Sequence, residues 1–497
     1  MSASREKKAR QERGVDYVSP KDEKARKENA DIRRTTVIFS ICAILFVLSV
    51  AALLVWNSGV IQRKSVAATV NGEKFTAGDV AFFYQNARAN LFNSSLASNV
   101  DNSKSLRKQE HVGAAGTWYD YVIEQAMQSL TNAASVAQAA KAAGFDAGDK
   151  VDAQVNDAFS TINDAAANYG VSVSQYIKGV YGSLVTKDVL ERNLRMTAYA
   201  DAYIDSLSSA DSYGDAELTA VYEADVNSFS TVRYETAIFL SSSYLSDDSA
   251  TGETSETATG ETSETATDAS TESDDGSAAL TLAKADAELA KNRIQDSGES
   301  VETVAGDYGA TYSESTSYYS GSSELSEWLF DSARSEGDVT VLDYYGVGAQ
   351  VVVFHGKARA DFFPVNVRHI LVEDEAKANE LLAQFNAGDK TEDSFAALAE
   401  ENSTDTGSAS NGGLYENVYI GQMVKPFEDW CFDSSRQAGD VGIVKTDYGY
   451  HVMYFCGSSS TAYWKTLAAS KLASDKVTEI SSSAVSETLS GEKYIDR

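Results

Sequence analysis

The residues best suited to do chemistry in this 497-residue sequence are two histidines that lie within short apolar segments. Val365–Val372 has the composition of a β-strand, and a period of two places His369 on one face of it. The same period in Tyr448–Phe455 predicts a second strand with His451 on one face. If these strands are neighbours, the two imidazoles lie side by side and face one groove. The alternative is that each is an ordinary core histidine with satisfied hydrogen bonds.

The sequence lacks the motifs of the common cofactor and nucleophile sites. It contains no C-x-x-C, H-E-x-x-H, G-x-S-x-G, P-loop or G-x-G-x-x-G pattern. We therefore expect no metal and no cofactor. Of the three cysteines, Cys42 lies in an apolar run, while Cys431 and Cys456 could pair in an oxidising compartment, although we expect no disulfide.

A series of motifs joins the two histidine segments in a specific order. A helical FAALAEENS segment (Phe395–Ser403) is followed by SASNGG, GQMVKPFE, a Gly-Asp turn and VKTDYGYH. This order resembles the parvulin-type peptidyl-prolyl cis/trans isomerases over about residues 361–457. The resemblance implies an α+β domain, with an antiparallel sheet flanked by helices, that isomerises X-Pro bonds.

The resemblance also implies a set of site residues, divided into a polar ring around the amide and a proline-binding pocket. The catalytic residues expected from it are His369, Asp405 and His451, and the substrate-binding residues are Tyr415, Met423, Phe427 and Thr446. Two points stay open: the register of the loop that carries Asp405, and whether the histidines stabilise charge or only orient the ring. The usual G-G-D-L-G loop reads Gly412–Glu416 here, which places Tyr415 where a leucine is common.

These residue types suit the reaction. The X-Pro bond rotates slowly because amide resonance creates a barrier of about 18–20 kcal/mol, and no covalent bond has to break. An apolar pocket with polar groups around the twisted amide is sufficient, without a cofactor. Phosphate-directed parvulins carry basic residues after the first strand, whereas this chain has Glu373–Glu375, all acidic. We expect a general X-Pro substrate, although these charges could also be only a solvated loop.

An internal repeat precedes this segment. Ser326–Val339 aligns with Glu428–Val441, with Trp, Phe-Asp-Ser, Arg and Gly-Asp-Val in common, and each copy continues into a strand ending in Phe-x-Gly. Residues 231–360 therefore resemble a degenerate copy of the parvulin-like segment. Gln350 replaces the second histidine of the pair, and Thr236 or Ala237 replaces the first, so we expect this copy to be inactive.

An acidic, low-complexity tract interrupts the degenerate copy. Residues 246–277 contain ten acidic residues, no basic residue, and the octad ATGETSET twice in tandem. Such a composition buries too little apolar surface to offset the entropy of ordering, so the tract is predicted to be a disordered loop insertion.

The N-terminal region predicts a membrane anchor. Residues 36–56 form an uncharged apolar run long enough to cross a bilayer, although a cleaved signal peptide is an alternative. Residues 1–34 hold 11 basic and 7 acidic residues, which places the N-terminus in the cytoplasm by the positive-inside rule. The remaining chain has a net charge of −35 and would lie outside the membrane, where it would repel nucleic acid.

Between the anchor and the repeat, the sequence predicts amphipathic helices. This region is similar to the helical chaperone part of extracytoplasmic parvulin chaperones, which implies unfolded or partly folded exported polypeptides as partners. The predicted organisation is a cytoplasmic tail (1–34), a transmembrane signal anchor (35–57), a helical chaperone-like domain (66–230), a degenerate parvulin-like domain (231–360), a parvulin domain (361–457) and a C-terminal helix and tail (458–497).

Three functions fit these features. The first is an isomerase and chaperone that assists the folding of exported proteins. The second is a non-catalytic holdase that only binds unfolded chains, a reading favoured by the altered loop at Tyr415. The third is an envelope scaffold with a fixed partner.

Overall fold

A computed structural model describes residues 5, 8, 40–50, 59–113, 115–245 and 274–495. Contacts divide the chain into two compact units. Unit 1 comprises residues 1–204 and 476–497, and unit 2 comprises residues 205–475.

The described elements form a largely helical first half, which is followed by two segments that each contain a four-stranded sheet. The helices are α1 Val60–Lys64, α2 Ala77–Phe92, α3 Trp118–Ala142, α4 Lys150–Asn168, α5 Val173–Tyr181, α6 Lys187–Ser208, α7 Asp215–Ala224, α8 Asp274–Ser297, α9 Val301–Tyr308, α10 Glu324–Phe330, α11 Glu375–Ala387, α12 Glu392–Asn402, α13 Lys425–Cys431 and α14 Tyr463–Ser483. The strands are β1 Val66–Val70, β2 Glu73–Thr76, β3 Ser230–Leu240, β4 Thr311–Tyr318, β5 Val339–Tyr344, β6 Gly348–Arg359, β7 Val365–Val372, β8 Leu414–Val418, β9 Val441–Thr446, β10 Gly449–Ser458 and β11 Ser486–Thr488.

In the part of unit 1 that the structure describes, the regular structure is helical apart from one small sheet with the strand order β11-β1-β2. The Asn71-Gly72 turn joins β1 to β2 with positive φ at both residues, the conformation for which Asn-Gly is favoured. A capping box formed by Thr117 and Asp120 starts α3. Trp118 and Leu130 of that helix are fully buried in the core of the unit, so the amphipathic pattern of α3 is satisfied by packing.

Unit 2 contains two four-stranded antiparallel sheets with equivalent connections. The strand orders are β4-β3-β6-β5 and β8-β7-β10-β9. In each, two helices follow the first strand and one short helix follows the second. The register is also equivalent, since Phe354 of β6 lies opposite Tyr234 of β3 as Phe455 of β10 lies opposite Val367 of β7, and the register shifts directly after each phenylalanine. The predicted mixed architecture of helices and antiparallel sheets is thereby confirmed.

The second sheet buries both of its faces. Helices α11 and α12 cover one face, where Phe395 is fully buried between Phe385 and Tyr454. The opposite face packs Val367 and Phe455 against α13. Alternate residues of β7 and β10 therefore enter different cores, as a strand period of two requires.

The predicted disordered insertion, 246–277, needs one correction at its C-terminal end. Residues 274–277, placed in the disordered insertion, instead begin helix α8, and their alanine-rich continuation supplies the buried helix face that the tract itself lacks. The rest of that insertion, 246–273, lies outside the described residues. The C-terminal tail also includes a strand, β11, which pairs with β1.

The predicted membrane anchor is described only in part. Residues 40–50 are helical, and the remainder of 35–57 lies outside the described residues. Among the helices that the structure does describe, none combines the length and the apolar character needed to cross a bilayer.

Truncation of Phe395 tests the packing of the second sheet. Phe395→Ala should destabilise it by about 3–5 kcal/mol, because the cavity lies in a fully enclosed site. Hydrogen exchange measured by mass spectrometry should therefore be faster for the amides of β7 and β10. Phe363→Ala is the control, since Phe363 is 48% exposed. Equal protection in the two variants would contradict the assigned core.

Candidate active site

Strands β7 and β10 bring the two histidines together at the centre of the second sheet. The strands are antiparallel neighbours, with Met453 opposite His369 and Leu371 opposite His451. The imidazoles are 3% and 6% exposed, and their Nδ1 atoms are 3.0 Å apart. The two strands are thus neighbours, which is the condition under which the sequence pattern places both imidazoles side by side.

Burial determines the protonation of this pair. Desolvation lowers the pKa of His369, and hydrogen bonding to Asp405 only partly offsets that effect. Desolvation and the adjacent His369 lower the pKa of His451 to about 4. Both rings are therefore neutral at pH 7.

The hydrogen-bond partners then determine the tautomers. The Asp405 carboxylate accepts, so His369 Nε2, at 2.8 Å, carries the proton and its Nδ1 is an acceptor. His451 must donate from Nδ1 to that acceptor. Its Nε2 accepts from the hydroxyl of Thr446 at 2.9 Å. A single chain of donors runs from Thr446 through His451 and His369 to Asp405.

Asp405 lies at the end of this chain, in the loop after α12. The backbone N–H of Thr404 donates to the carbonyl of Leu371, which anchors the loop beside β7. Burial alone would raise the pKa of the Asp405 carboxyl. Hydrogen bonds from Ser408 and His369, together with others from Gly407 and Tyr415, outweigh it and hold the pKa well below its usual range. The site therefore contains a permanent negative charge.

The loop with two glycines explains how the polar ring closes. Gly413 has φ +70°, and its carbonyl accepts the His369 N–H at 2.9 Å. A Cβ at this position would lie 2.1 Å from the carbonyl oxygen of His369. Only glycine permits this close approach, which places Tyr415 beside the ring of His369, with centroids 5.2 Å apart.

An apolar wall borders the histidine pair. Phe427, in the first turn of α13, meets the rings of His369 and His451 edge to face, at 5.6 and 5.4 Å between centroids. Met423 and Tyr415 are half-buried against the same apolar cluster. The arrangement is a polar ring beside an aromatic and thioether surface, which suits a small cyclic side chain attached to an amide.

Comparison with known proteins agrees with this geometry. Residues 354–456 match the family described as the PPIC-type PPIASE domain. This segment is a parvulin-type domain. A foldase protein PrsA 1 from Listeria innocua is 43% identical over 89 residues, which are 18% of this chain and 29% of that protein. A foldase protein PrsA from Geobacillus kaustophilus is 47% identical over 90 residues, 18% of this chain and 30% of the relative.

Among solved structures, the parvulin of Nitrosopumilus maritimus is 35% identical, with a TM-score of 0.17, and the match covers 19% of this chain and 98% of that one. The match to each of the two foldases spans less than a third of the relative's length. The likeness therefore concerns the parvulin domain.

The structure places all seven predicted site residues on one side of the parvulin sheet. The residues in the hydrogen-bonded ring are His369, Asp405, Tyr415, Thr446 and His451, and those in the apolar wall are Met423, Phe427 and the ring of Tyr415. Their roles remain predictions. The sequence analysis missed Ser408, which is buried and contacts both His369 Nε2, at 3.1 Å, and Asp405. Ser408 could have been identified from the sequence, since it is the first residue of the SASNGG motif.

The first sheet of unit 2 has no equivalent ring. Its register places Thr236 where β7 has His369, which selects between the two positions that the sequence left open, and Gln350 where β10 has His451. Both residues are buried, but neither is an imidazole.

The low pKa of His451 can be tested by NMR. Its ring should stay neutral as the pH falls from 7 towards about 4, because burial disfavours the imidazolium. Since the unfolded state binds a proton near pH 6.5, stability from this residue is complete above that pH and is lost as pH falls through 6.5 to about 4.

The measurement is a ¹³C-resolved titration of the imidazole Cε1–H signals, assigned by the loss of one signal in His451→Gln. A His451 signal that titrates near pH 6.5 would contradict the buried neutral pair.

Proposed function

We propose that the parvulin domain is a peptidyl-prolyl cis/trans isomerase that acts on unphosphorylated X-Pro bonds. The observation that carries this proposal is the chain of donors from Thr446 to Asp405, which lies beside the Phe427 ring and leaves every ring nitrogen occupied. Such a site can bind and polarise an amide but has no free base to start covalent chemistry.

The apolar wall would bind the proline ring. Phe427 and Met423 belong to one apolar cluster beside the histidine pair, and a proline ring packed against them would be shielded from water on that side. Holding the ring while the preceding carbonyl rotates makes the wall complementary to the twisted state as well as to both planar isomers.

The fixed charge of Asp405 would favour that twisted state. Amide resonance places partial negative charge on the carbonyl oxygen and positive charge on nitrogen. A carboxylate near the oxygen disfavours this charge-separated form and so reduces the double-bond character of the C–N bond. In this scheme His369 and His451 are positioning residues, because they hold Asp405 and the pocket in one geometry and transfer no proton.

The whole chain would act as a foldase outside the membrane. The two foldase relatives, the helical unit 1 and the net charge of −35 beyond residue 34 support a chaperone that engages unfolded exported polypeptides. The apolar run at 36–56 supports attachment through a single helix, with the N-terminus in the cytoplasm. The degenerate copy would contribute binding surface but no catalysis.

The main alternative is a holdase that binds unfolded chains without isomerising them. Tyr415, which departs from the usual family leucine, is the feature that favours it. In the structure the Tyr415 hydroxyl donates to Asp405 at 3.0 Å while its ring stays in the apolar wall. The substitution therefore keeps the wall, which supports the isomerase over the holdase.

Truncation of the pocket tests the isomerase. Met423→Ala should lower kcat/KM of the full chain about tenfold, because the lost apolar contact with proline corresponds to about 1.4 kcal/mol. Isomerisation of an unphosphorylated Ala-Pro peptide is measured by NMR exchange spectroscopy. Tyr345→Ala, at a side chain 87% exposed in the turn between β5 and β6, is the control and should retain full activity. A wild-type chain that binds unfolded protein but accelerates no X-Pro peptide would leave the holdase as the function.

Phosphorylation of the substrate should weaken turnover. Glu373 and Glu375 are exposed beside β7, and Asp374 already caps α11 by accepting from the Lys377 N–H at 2.9 Å. These charges repel a phosphate, so kcat/KM for a phosphoserine-proline peptide should be several-fold below that for its serine-proline counterpart. The same exchange measurement compares the two peptides. A preference for the phosphorylated peptide would contradict this assignment.

A further inference from the structure

A groove lies beside the proposed proline pocket, between the two sheets of unit 2. One wall is edge strand β4 of the first sheet, and the other is residues 421–428 of the parvulin domain. The volume of the groove is about 270 Å³. Met423 lines it and also belongs to the apolar wall of the candidate active site, so the groove adjoins the proposed proline pocket.

The two walls are held together by specific contacts. The Tyr318 hydroxyl donates to the carbonyl of Ile420 at 2.6 Å, and its ring meets Tyr419 edge to face, at 5.4 Å between centroids. Gly421 approaches so closely that a Cβ there would lie 2.7 Å from the carbonyl oxygen of Thr316. With φ +89° as well, this position requires glycine. The groove is therefore a defined feature of the folded unit.

The groove carries a buried carboxylate. Glu428 is only 9% exposed, yet it lines the groove. Its Oε2 accepts the N–H of Gly421. Among the described residues, none forms a hydrogen bond to its Oε1. This second carboxylate oxygen is therefore available to a donor or a cation that enters the groove.

The remaining charges of the groove leave it acidic. Glu314 of β4 lines the groove from the opposite wall and is exposed. Lys425 is the cation of this lining, but its ammonium pairs with Asp429 outside the groove. Two carboxylates are thus available to a positively charged ligand, whereas the one lysine of the lining is already paired.

We infer that this groove binds a lysine or arginine side chain of the substrate polypeptide, within a few residues of the isomerised bond. This rests on the proposed function, because the groove adjoins the pocket that would hold the proline. A cationic side chain can pass its methylene stem over Met423 and place its donors between Glu314 and Glu428. The degenerate copy then has a definite role, which is to supply one wall of a specificity site.

A peptide scan with the full chain tests the inference. Unphosphorylated peptides share one Ala-Pro core and carry a single lysine, norleucine or glutamate at each of the four positions on either side. At one position or a few adjacent ones, kcat/KM for lysine should exceed that for norleucine about fivefold, and glutamate should be poorest. Raising the salt concentration from 50 to 500 mM should reduce the difference, since part of the site is exposed.

Variants locate the effect. Glu314→Gln combined with Glu428→Gln should abolish the lysine preference and leave norleucine peptides within about twofold of wild type, since glutamine still accepts from Gly421. Glu314→Gln alone changes an exposed side chain, keeps the fold and should reduce the preference. Glu324→Gln, an exposed glutamate outside the groove, is the matched control and should change nothing.

The outcomes separate this inference from the proposed function. Equal rates for lysine and norleucine at every position, or a lysine preference that survives in the double variant, would overturn the groove assignment while the isomerase stands. If no peptide is accelerated, the isomerase fails, and fluorescence anisotropy of the same labelled peptides still decides the groove. Tighter binding of the lysine peptide, lost in the double variant, would support it, and equal binding would overturn it.

Discussion

The hydrogen bond between the two imidazoles is the interaction on which the polar ring of the parvulin domain depends. It requires β7 and β10 to be neighbours in one register, because a slip of one residue would move a ring to the opposite face of the sheet. It also requires one ring to accept, which a pair of imidazolium ions cannot do. Thr446 supplies the donor at one end and Asp405 the acceptor at the other. Because each member is satisfied, the ring can be buried at a modest net cost, whereas loss of one member would leave a buried polar atom unpaired.

The first sheet of unit 2 shows that the histidine pair is not needed for this fold. It has the same strand order and register, yet Thr236 and Gln350 occupy the positions of the histidines. Its packing depends on apolar residues such as Val352 and Phe354, which are buried between the sheet and α10. The topology therefore persists without the imidazoles. Edge strand β4 of this sheet still contributes its shape and charge to the groove, and neither property depends on a histidine pair.

Local sequence patterns predicted the histidine-bearing strands of the parvulin sheet. The features that those patterns missed depend on contacts between residues far apart in the sequence. A period of two placed His369 and His451 correctly, because the face of a strand residue is a local property. The register of Asp405 stayed open, since it is fixed by the backbone contact of Thr404 with Leu371, more than thirty residues away. Strands β11 and β1 pair although most of the chain separates them in sequence, and no short pattern in residues 486–488 predicts this pairing. The acidic groove is likewise invisible in sequence, because Glu314 and Glu428 come from different copies of the repeat.

Tyr415 shows how a departure from a family pattern can preserve a site. A leucine at this position would contribute only to the apolar wall. The tyrosine keeps its ring in that wall and adds a third side-chain donor to Asp405, beside Ser408 and His369. More donors hold the carboxylate ionised and fixed in direction, which favours a site that acts through a permanent charge. These hydrogen bonds also disperse the charge of the carboxylate, which would weaken its effect on an amide bound in the site. The tyrosine thus weakens the field of the carboxylate but fixes its direction, and it leaves the apolar wall of Met423 and Phe427 in place.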